Sequence, residues 1–379
     1  MSCEDEISDW LRLINTEGVG AIGFSKLTKS CGSVRDALAF LADKGRQIPS
    51  EEWAEKEIIL SERQNVKILL KKDNLYPQSL LQIRDAPPVL YAKGNLQLLS
   101  AQPAIAVVGS RNASINACRF TSRLALDLSD NDILVISGMA RGIDAAAHLG
   151  AMEAKGQKGP TIAVLGTGID RIYPPENRSL YYRIAEQGLL LTECPFAGSA
   201  TAASFPRRNR IVAGLSNGVL VTEASEKSGS LITARFAAEQ HKVLFAVPGN
   251  PLDARAAGPN RLLKAGAVLT EKAEDIIKIL KTAANRQIPQ DLSGHCGDLF
   301  TKPLDNCLKT ADIPTCPQLP IVDFLSTVPS DIDEIIRCSK LDTATVMMQI
   351  LDLELSGKIV RLPGNKIALS GSKEKENRQ

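Results

Sequence analysis

The sequence has no Cys-x-x-Cys spacing, although it carries eight cysteines. Cysteines scattered singly through 379 residues suit reduced thiols better than a disulfide frame, which points to a reducing compartment. Charge of one sign is missing as well: 45 Lys and Arg against 43 Asp and Glu leave a net +2. That excludes a polycation that coats nucleic acid indiscriminately, so any anion site has to come from local clustering. Aromatic residues are only 4% of the chain, which leaves little material for a site built mainly on base stacking. No apolar run approaches membrane-spanning length, and the opening MSCEDEISDW has neither a basic stretch nor an apolar core. The expectation is a soluble, cytoplasmic protein that meets no membrane. His295, Cys296, Cys307 and Cys316 fall in one segment, but their spacing matches no common zinc pattern, and no metal or other cofactor is expected. His148 and His241 sit in helical apolar patterns and read as packing or capping residues.

At this length two or three domains are expected, and 44% hydrophobic residues can fill a sizeable core. Residues 1–80 read as a small helical domain of the helix-hairpin-helix or SAM-like kind, with Trp10, Leu11, Leu13 and Ile14 preceding a Gly18-Val19-Gly20 turn between two amphipathic segments. That turn could lay N–H groups on a phosphate, or simply close the module. From Val66 the text breaks into short apolar runs around Pro77, Pro87, Pro88 and Gly94, and reads as a connector packed on the next domain. Residues 81–283 form the core. Within it the apolar strand candidates AIAVVGSR, ILVISGMARG, TIAVLGTG, LLLTE, GVLVTEA, VLFAVPGN and AVLT alternate with helical stretches. The pattern predicts an α/β fold with a Rossmann-like parallel sheet covered on both faces.

Residues 284–320, with five prolines and little periodicity, read as a linker. Residues 321–370 follow the helix, helix, helix, hairpin pattern of a winged helix, but carry five Lys and Arg against seven Asp and Glu. An acidic recognition helix is repelled by duplex DNA, so this domain is expected to contact protein or to do little alone. The tail, SGSKEKENRQ, is polar and expected to be disordered.

Right-handed crossovers bring every strand-to-helix turn of a parallel sheet to one edge. Four Gly-rich turns then share an address: Gly109-Ser110-Arg111, Ser137-Gly138 with Arg141-Gly142-Ile143-Asp144, Gly166-Thr167-Gly168, and Ser228-Gly229-Ser230 with Thr233 behind it. Glycine lets a backbone approach a ligand, helix starts offer unpaired N–H groups, and guanidinium groups supply charge. With Arg207, Arg208, Asn209 and Arg210 opening a helix nearby, the set reads as an extended phosphate-binding groove. The bland alternative is a Gly-Ser helix cap beside a solvated arginine face. Gly166-Thr167-Gly168 starts a dinucleotide fingerprint, but Arg171 stands where its third glycine should be, so NAD or FAD is not expected there. Nor is there a Walker A lysine turn.

Six ordered motifs, DAPPVLYAKGN, VVGSR, SGMARGIDAAAH, VLGTGIDRIYPPEN, FPRRNRIVAGLS and EASEKSGSLITA, resemble the DNA-processing protein A family, also called Smf. The likeness spans about Val66 to Thr270 and, more loosely, most of the chain. It implies a protein that binds single-stranded DNA, works as a homodimer and loads RecA recombinase onto DNA by displacing single-strand-binding protein, notably in natural transformation. Carried over residue by residue, Arg111 falls on the family's Gly-Ser/Ala-Arg phosphate motif and most other groove residues on its remaining motifs; no catalytic residue is implied. The rival from another class is a LOG-like nucleotide hydrolase, with Glu223 as the carboxylate beside the phosphate turn and Asp144 as second choice. Its Pro-Gly-Gly-x-Gly-Thr signature is absent. A third reading makes both end domains the protein-binding modules of a scaffold.

Overall fold

The computed structural model describes residues 3–155, 161–201, 204–285, 320–339 and 341–370. Helices α1 (Cys3–Ile14), α2 (Ala21–Cys31), α3 (Val34–Asp43) and α4 (Glu51–Arg63) open the chain. The last two start on serine caps, where the hydroxyls of Ser33 and Ser50 accept from the N–H groups of Asp36 and Trp53. Gly18 turns the chain between α1 and α2 at φ +82°, a conformation glycine adopts without steric cost. Leu13, Phe24, Ala37, Leu38 and Leu41 close a small core.

Nine strands then build one sheet. In chain order come β1 (Lys67–Leu70), α5 (Gln78–Leu81), β2 (Val89–Gly94), β3 (Ala104–Val108), α6 (Ile115–Asp130), β4 (Leu134–Ser137), α7 (Ile143–Met152), β5 (Thr161–Val164), α8 (Arg178–Gln187) and β6 (Leu189–Thr192). The second half supplies α9 (Ser204–Leu215), β7 (Gly218–Val221), α10 (Ser230–Glu239), β8 (Val243–Ala246), α11 (Ala257–Lys264), β9 (Val268–Leu269) and α12 (Ala273–Asn285). The spatial order is β1-β2-β6-β5-β4-β3-β7-β8-β9. Strands β3 to β9 pair in parallel, while β2 runs antiparallel to β6 and β1 antiparallel to β2.

The stretch from Val66, expected as a connector, therefore extends the sheet, and helix gives way to strand before residue 80. Pro87 and Pro88 had read as breaks; they lie just ahead of β2, where a missing N–H interrupts no ladder. The central strands are buried along their whole length because helices cover both faces: α9, α10 and α11 on one, α6, α7 and α12 on the other. The helical unit packs on the sheet beside α8. There Glu57, 4% exposed, accepts from Tyr91 Oη at 2.8 Å and from Phe196 N at 3.0 Å, and so ties α4 to the core.

The third unit contains β10 (Ser330–Asp331), α13 (Ile332–Ser339), α14 (Thr343–Leu355), β11 (Ile359–Leu362) and β12 (Lys366–Leu369), with strand order β10-β12-β11. This is a winged helix whose expected first helix is a single 3-10 turn, Ile321–Phe324. The expected linker, with His295, Cys296, Cys307 and Cys316, and the tail lie outside the described residues, apart from their first or last few positions. Among the described residues no helix is long and apolar enough to cross a membrane.

His148 is wholly buried on α7, whereas His241 is exposed in the turn after α10 at φ +55°. Thr161 Oγ1 donates to Val135 O at 2.7 Å, so it accepts from His148 Nδ1 at 2.8 Å. Nε2 is then the bare nitrogen, and it has no partner among the described residues. Burial, reinforced by the charge of Arg208, holds the imidazole pKa down at about 3. The unfolded chain takes up a proton below about pH 6.5 that the folded chain refuses, so stability is present above that pH and is lost as pH falls. Denaturant unfolding between about pH 6 and 5 should show this loss, at up to about 1.4 kcal/mol per pH unit, and His148→Asn should flatten the slope.

Candidate nucleic-acid interface

The chain leaves β3 towards β4 on one side and, from the neighbouring β7, towards β8 on the other. Connections that diverge from adjacent strands leave a crevice at their carboxyl ends, the switch point where open α/β sheets bind ligands. Val108 pairs with Val221, so Gly109 and Thr222 leave the sheet side by side. The turn after β4 lies next to them.

These turns are held mainly by one another. Ser110 N donates to Glu223 O at 2.6 Å and Ile143 N donates to Ser110 O at 3.2 Å. The Glu223 carboxylate accepts from Ser114 N at 2.8 Å and from Ser114 Oγ at 2.7 Å. Ser137 Oγ donates to Val107 O at 2.6 Å. The buried Asp144 carboxylate accepts from Gly138 N at 3.2 Å and Ala140 N at 3.3 Å, and Asn177 Nδ2 donates to Met139 O at 2.9 Å. Burial raises the Asp144 pKa above its ordinary value, against the opposing pull of Arg208 and the N–H donors. Glu223 and Asp144, the two carboxylates a hydrolase would need, are thus both engaged in holding backbone.

The arginines do not act as one cluster, and the expectation of a groove-facing triplet is corrected here. Consecutive helix residues point about 100° apart, so α9 sends Arg207 to solvent and Arg208 into the interior. Arg208, 5% exposed, donates from Nη1 to Val164 O at 2.8 Å and to Gly138 O. Arg210 pairs with Glu193 at 2.5 Å and Asp85 at 3.2 Å. Arg141 is half-buried, 3.7 Å from the Glu176 carboxylate. Asn209 Nδ2 donates to Gly229 O at 3.3 Å, joining α9 to the Ser-Gly-Ser turn.

Arg111 differs from all of these. It is exposed, its guanidinium carbon lies 4.6 Å from the centroid of Phe205, and no ion pair among the described residues involves it. Phe205 in turn lies 5.6 Å from Tyr173, centroid to centroid. Arginine and aromatic faces therefore form a short column at the switch point. Phe205 and Tyr173 are the two aromatic residues that the sequence places at the sheet edge, though outside the expected phosphate-binding set.

The Ser-Gly-Ser turn is also less open than expected. Ser228 Oγ and Ser230 Oγ bond each other at 2.8 Å, and the N–H groups of Ser230, Leu231 and Ile232 are taken up within the turn. Ser230 and Thr233 are 9% and 1% exposed. Most of the glycines answer to packing between loops. A Cβ on Gly109 would meet Ile143, one on Gly138 would stand 1.8 Å from Arg208 Nη1, and one on Gly168 would stand 2.5 Å from Pro195 O. At Gly166 the nearest atom, in the Phe205 ring, is 3.5 Å away, and at Gly229 nothing lies within 4 Å. Gly229, which is exposed, leaves room for a ligand backbone, whereas Gly166 is itself buried.

Fold and crevice define a class: Rossmann-like α/β proteins with a loop-lined, arginine-bearing switch point, flanked by a small helical unit and a winged helix. Residues 67–281 match the family of DNA recombination-mediator protein A, residues 4–59 the DprA-like N-terminal HHH domain, and residues 309–365 the DprA winged helix domain. The chain belongs to the DNA processing protein A (DprA/Smf) family. It is 34% identical to protein Smf of Synechocystis over 80% of each chain, and 33% identical to protein Smf of Escherichia coli over 89% of this chain and 85% of that one. The crystal structure of DNA processing protein A from Streptococcus pneumoniae superposes with a TM-score of 0.61 at 32% identity, covering 74% of this chain and 98% of that one. The corresponding Helicobacter pylori protein, studied for its single-stranded DNA binding mode, gives 0.52 at 31% identity, covering 57% and 96%.

Gly142 sits at φ +71°, and a Cβ there would stand 2.4 Å from Ser110 O, a backbone atom that cannot swing away. Gly142→Ala should cost about 1–3 kcal/mol. Gly229→Ala, with a helical φ of −61° and open space, should change stability by no more than about 0.5 kcal/mol. Thermal unfolding of the two variants checks the contrast.

Proposed function

We propose that the crevice holds the sugar-phosphate backbone of single-stranded DNA and that the chain is a recombination mediator rather than an enzyme. Working as a homodimer in the cytoplasm, it loads RecA recombinase onto DNA coated by single-strand-binding protein during natural transformation. The observation that carries the DNA reading is Arg111: an exposed guanidinium in no salt bridge among the described residues, stacked on Phe205 at the switch point. Phosphate contacts position a strand without reading its sequence, and a π-face accepts any base. Arg207 on α9 and Lys227, next to the Ser-Gly-Ser turn in sequence, are exposed. Gly229, exposed and with open space around it, leaves room for the strand to approach. The single-stranded DNA binding of the Helicobacter pylori relative supports the same reading. RecA loading and pairing of two copies rest on the family resemblance.

A nucleotide hydrolase needs a carboxylate free to take a proton beside the phosphate turn. Glu223 is committed to Ser114 and Asp144 to the 138–140 backbone, which weighs against that rival.

With Arg111, Arg207 and Lys227 each meeting one phosphate, log affinity should fall against log salt with a slope of about −2. Arg111→Ala should weaken binding of a labelled oligothymidine about tenfold, the scale of one lost charge-assisted hydrogen bond. Unchanged affinity in that titration removes the assignment. In a second assay, RecA-driven ATP hydrolysis on DNA pre-coated with single-strand-binding protein should accelerate when the parent chain is added, and Arg111→Ala should fail to accelerate it.

A further inference from the structure

The winged-helix unit is seated on the core beside the crevice. Ile115, the first residue of α6 and 4% exposed, belongs to the winged-helix apolar cluster. The rest of the seat is polar. Asn116 Nδ2 donates to Ser326 Oγ at 3.4 Å, Val328 O at 3.3 Å and Ser330 Oγ at 3.3 Å. Arg119 pairs with Glu334, and Asn250 Nδ2 donates to Thr327 Oγ1 at 3.2 Å. Arg255, forked on the Asp253 carboxylate, also donates to the main-chain oxygens of Asp323 and Leu325.

This seat ends at the crevice. The Asp323 carboxylate lies 3.5 Å from Nδ2 of Asn112, the residue after Arg111. Arg255 and Arg141 both act on its charge. A carboxylate of the winged-helix unit therefore stands against the turn that carries Arg111 and Asn112, with Arg141 and Arg255 as the cations acting on it.

We infer that the docked winged helix is an autoinhibitory cap: its Asp323 carboxylate blocks the Arg111 end of the crevice to backbone phosphates, and a strand occupies that end only after the unit swings away. The inference rests on the crevice reading above. The unit has its own apolar core, including Ile321, Leu325, Ile332, Val346 and Ile367, to which the core domain adds Ile115. Its seat is mostly hydrogen-bonded, the kind of contact that opens reversibly. Its α14 carries no Lys or Arg, so a bound strand repels the unit instead of retaining it. Apparent affinity for DNA is then the crevice's own affinity scaled by the undocked fraction.

The test is a titration of labelled oligothymidine against the full chain. Arg119→Glu sets like charges against each other at the seat without touching the crevice, and should tighten binding at least about fivefold. The swap Arg119→Glu with Glu334→Arg restores the pair and should return affinity to the parent's value. Asp323→Asn should also tighten binding, and adding Arg111→Ala should abolish the gain. Arg119→Glu and Asp323→Asn that leave affinity unchanged or weaken it overturn the cap while leaving the crevice reading intact. If neither parent nor variants bind, the crevice reading fails and the cap falls with it.

Discussion

A guanidinium sealed beneath the strand ends holds the crevice in shape. Taking such a charge out of water is costly unless its donors and its charge are met. Arg208 meets the charge requirement with the buried Asp144 as counter-charge and spans two carbonyls from Nη1, Gly138 O just past β4 and Val164 O at the end of β5, while its Nε has no partner among the described residues. Burial lowers its pKa to about 10, so it remains cationic at neutral pH. Asp144, in its turn, bonds the N–H groups that fix the turn carrying Arg141. The two groups convert the loose ends of adjacent strands into one rigid rim.

That rigidity explains the division of labour along α9. Arg208 and Arg210 anchor the helix to the strand ends and to Glu193 and Asp85. Their neighbour Phe205 is thereby held under Arg111. An arginine stacked on a fixed ring loses less freedom on meeting a phosphate than one waving in solvent, so little ordering cost is left for binding. Glu223 serves the same end from β7: by capping Ser114 it fixes the start of α6, which follows the Arg111 turn.

The strand positions and the turns that follow them were legible in the sequence, because a parallel sheet buried on both faces writes continuous apolar runs such as IAVV and VLV. The direction of each arginine was not. Apolar periodicity reports which face of a helix is buried, but a buried arginine is silent in that pattern, and FPRRNR looks uniformly basic until Arg208 is seen bonded to carbonyls 44 and 70 residues away. The glycines misled for a related reason. A bare backbone serves a ligand and a neighbouring loop equally well, and at Gly109, Gly138, Gly142 and Gly168 the neighbour is protein. Strands β1 and β2 were hidden by prolines that lie outside their ladders, and the seat of the winged helix by side-chain amides such as Asn116, which carry no periodic signature.

The crevice is also stitched from distant parts of the chain: Glu223 reaches Ser114 across 109 residues and Arg208 reaches Gly138 across 70. Contacts of such long separation close late, after local helices have formed. A nascent polypeptide on the ribosome consequently has no competent rim until β7 and the residues after it have emerged, since Glu223 must be free to reach back to Ser114. Shorter translation products, and truncations upstream of that point, leave the Arg111 turn without its brace.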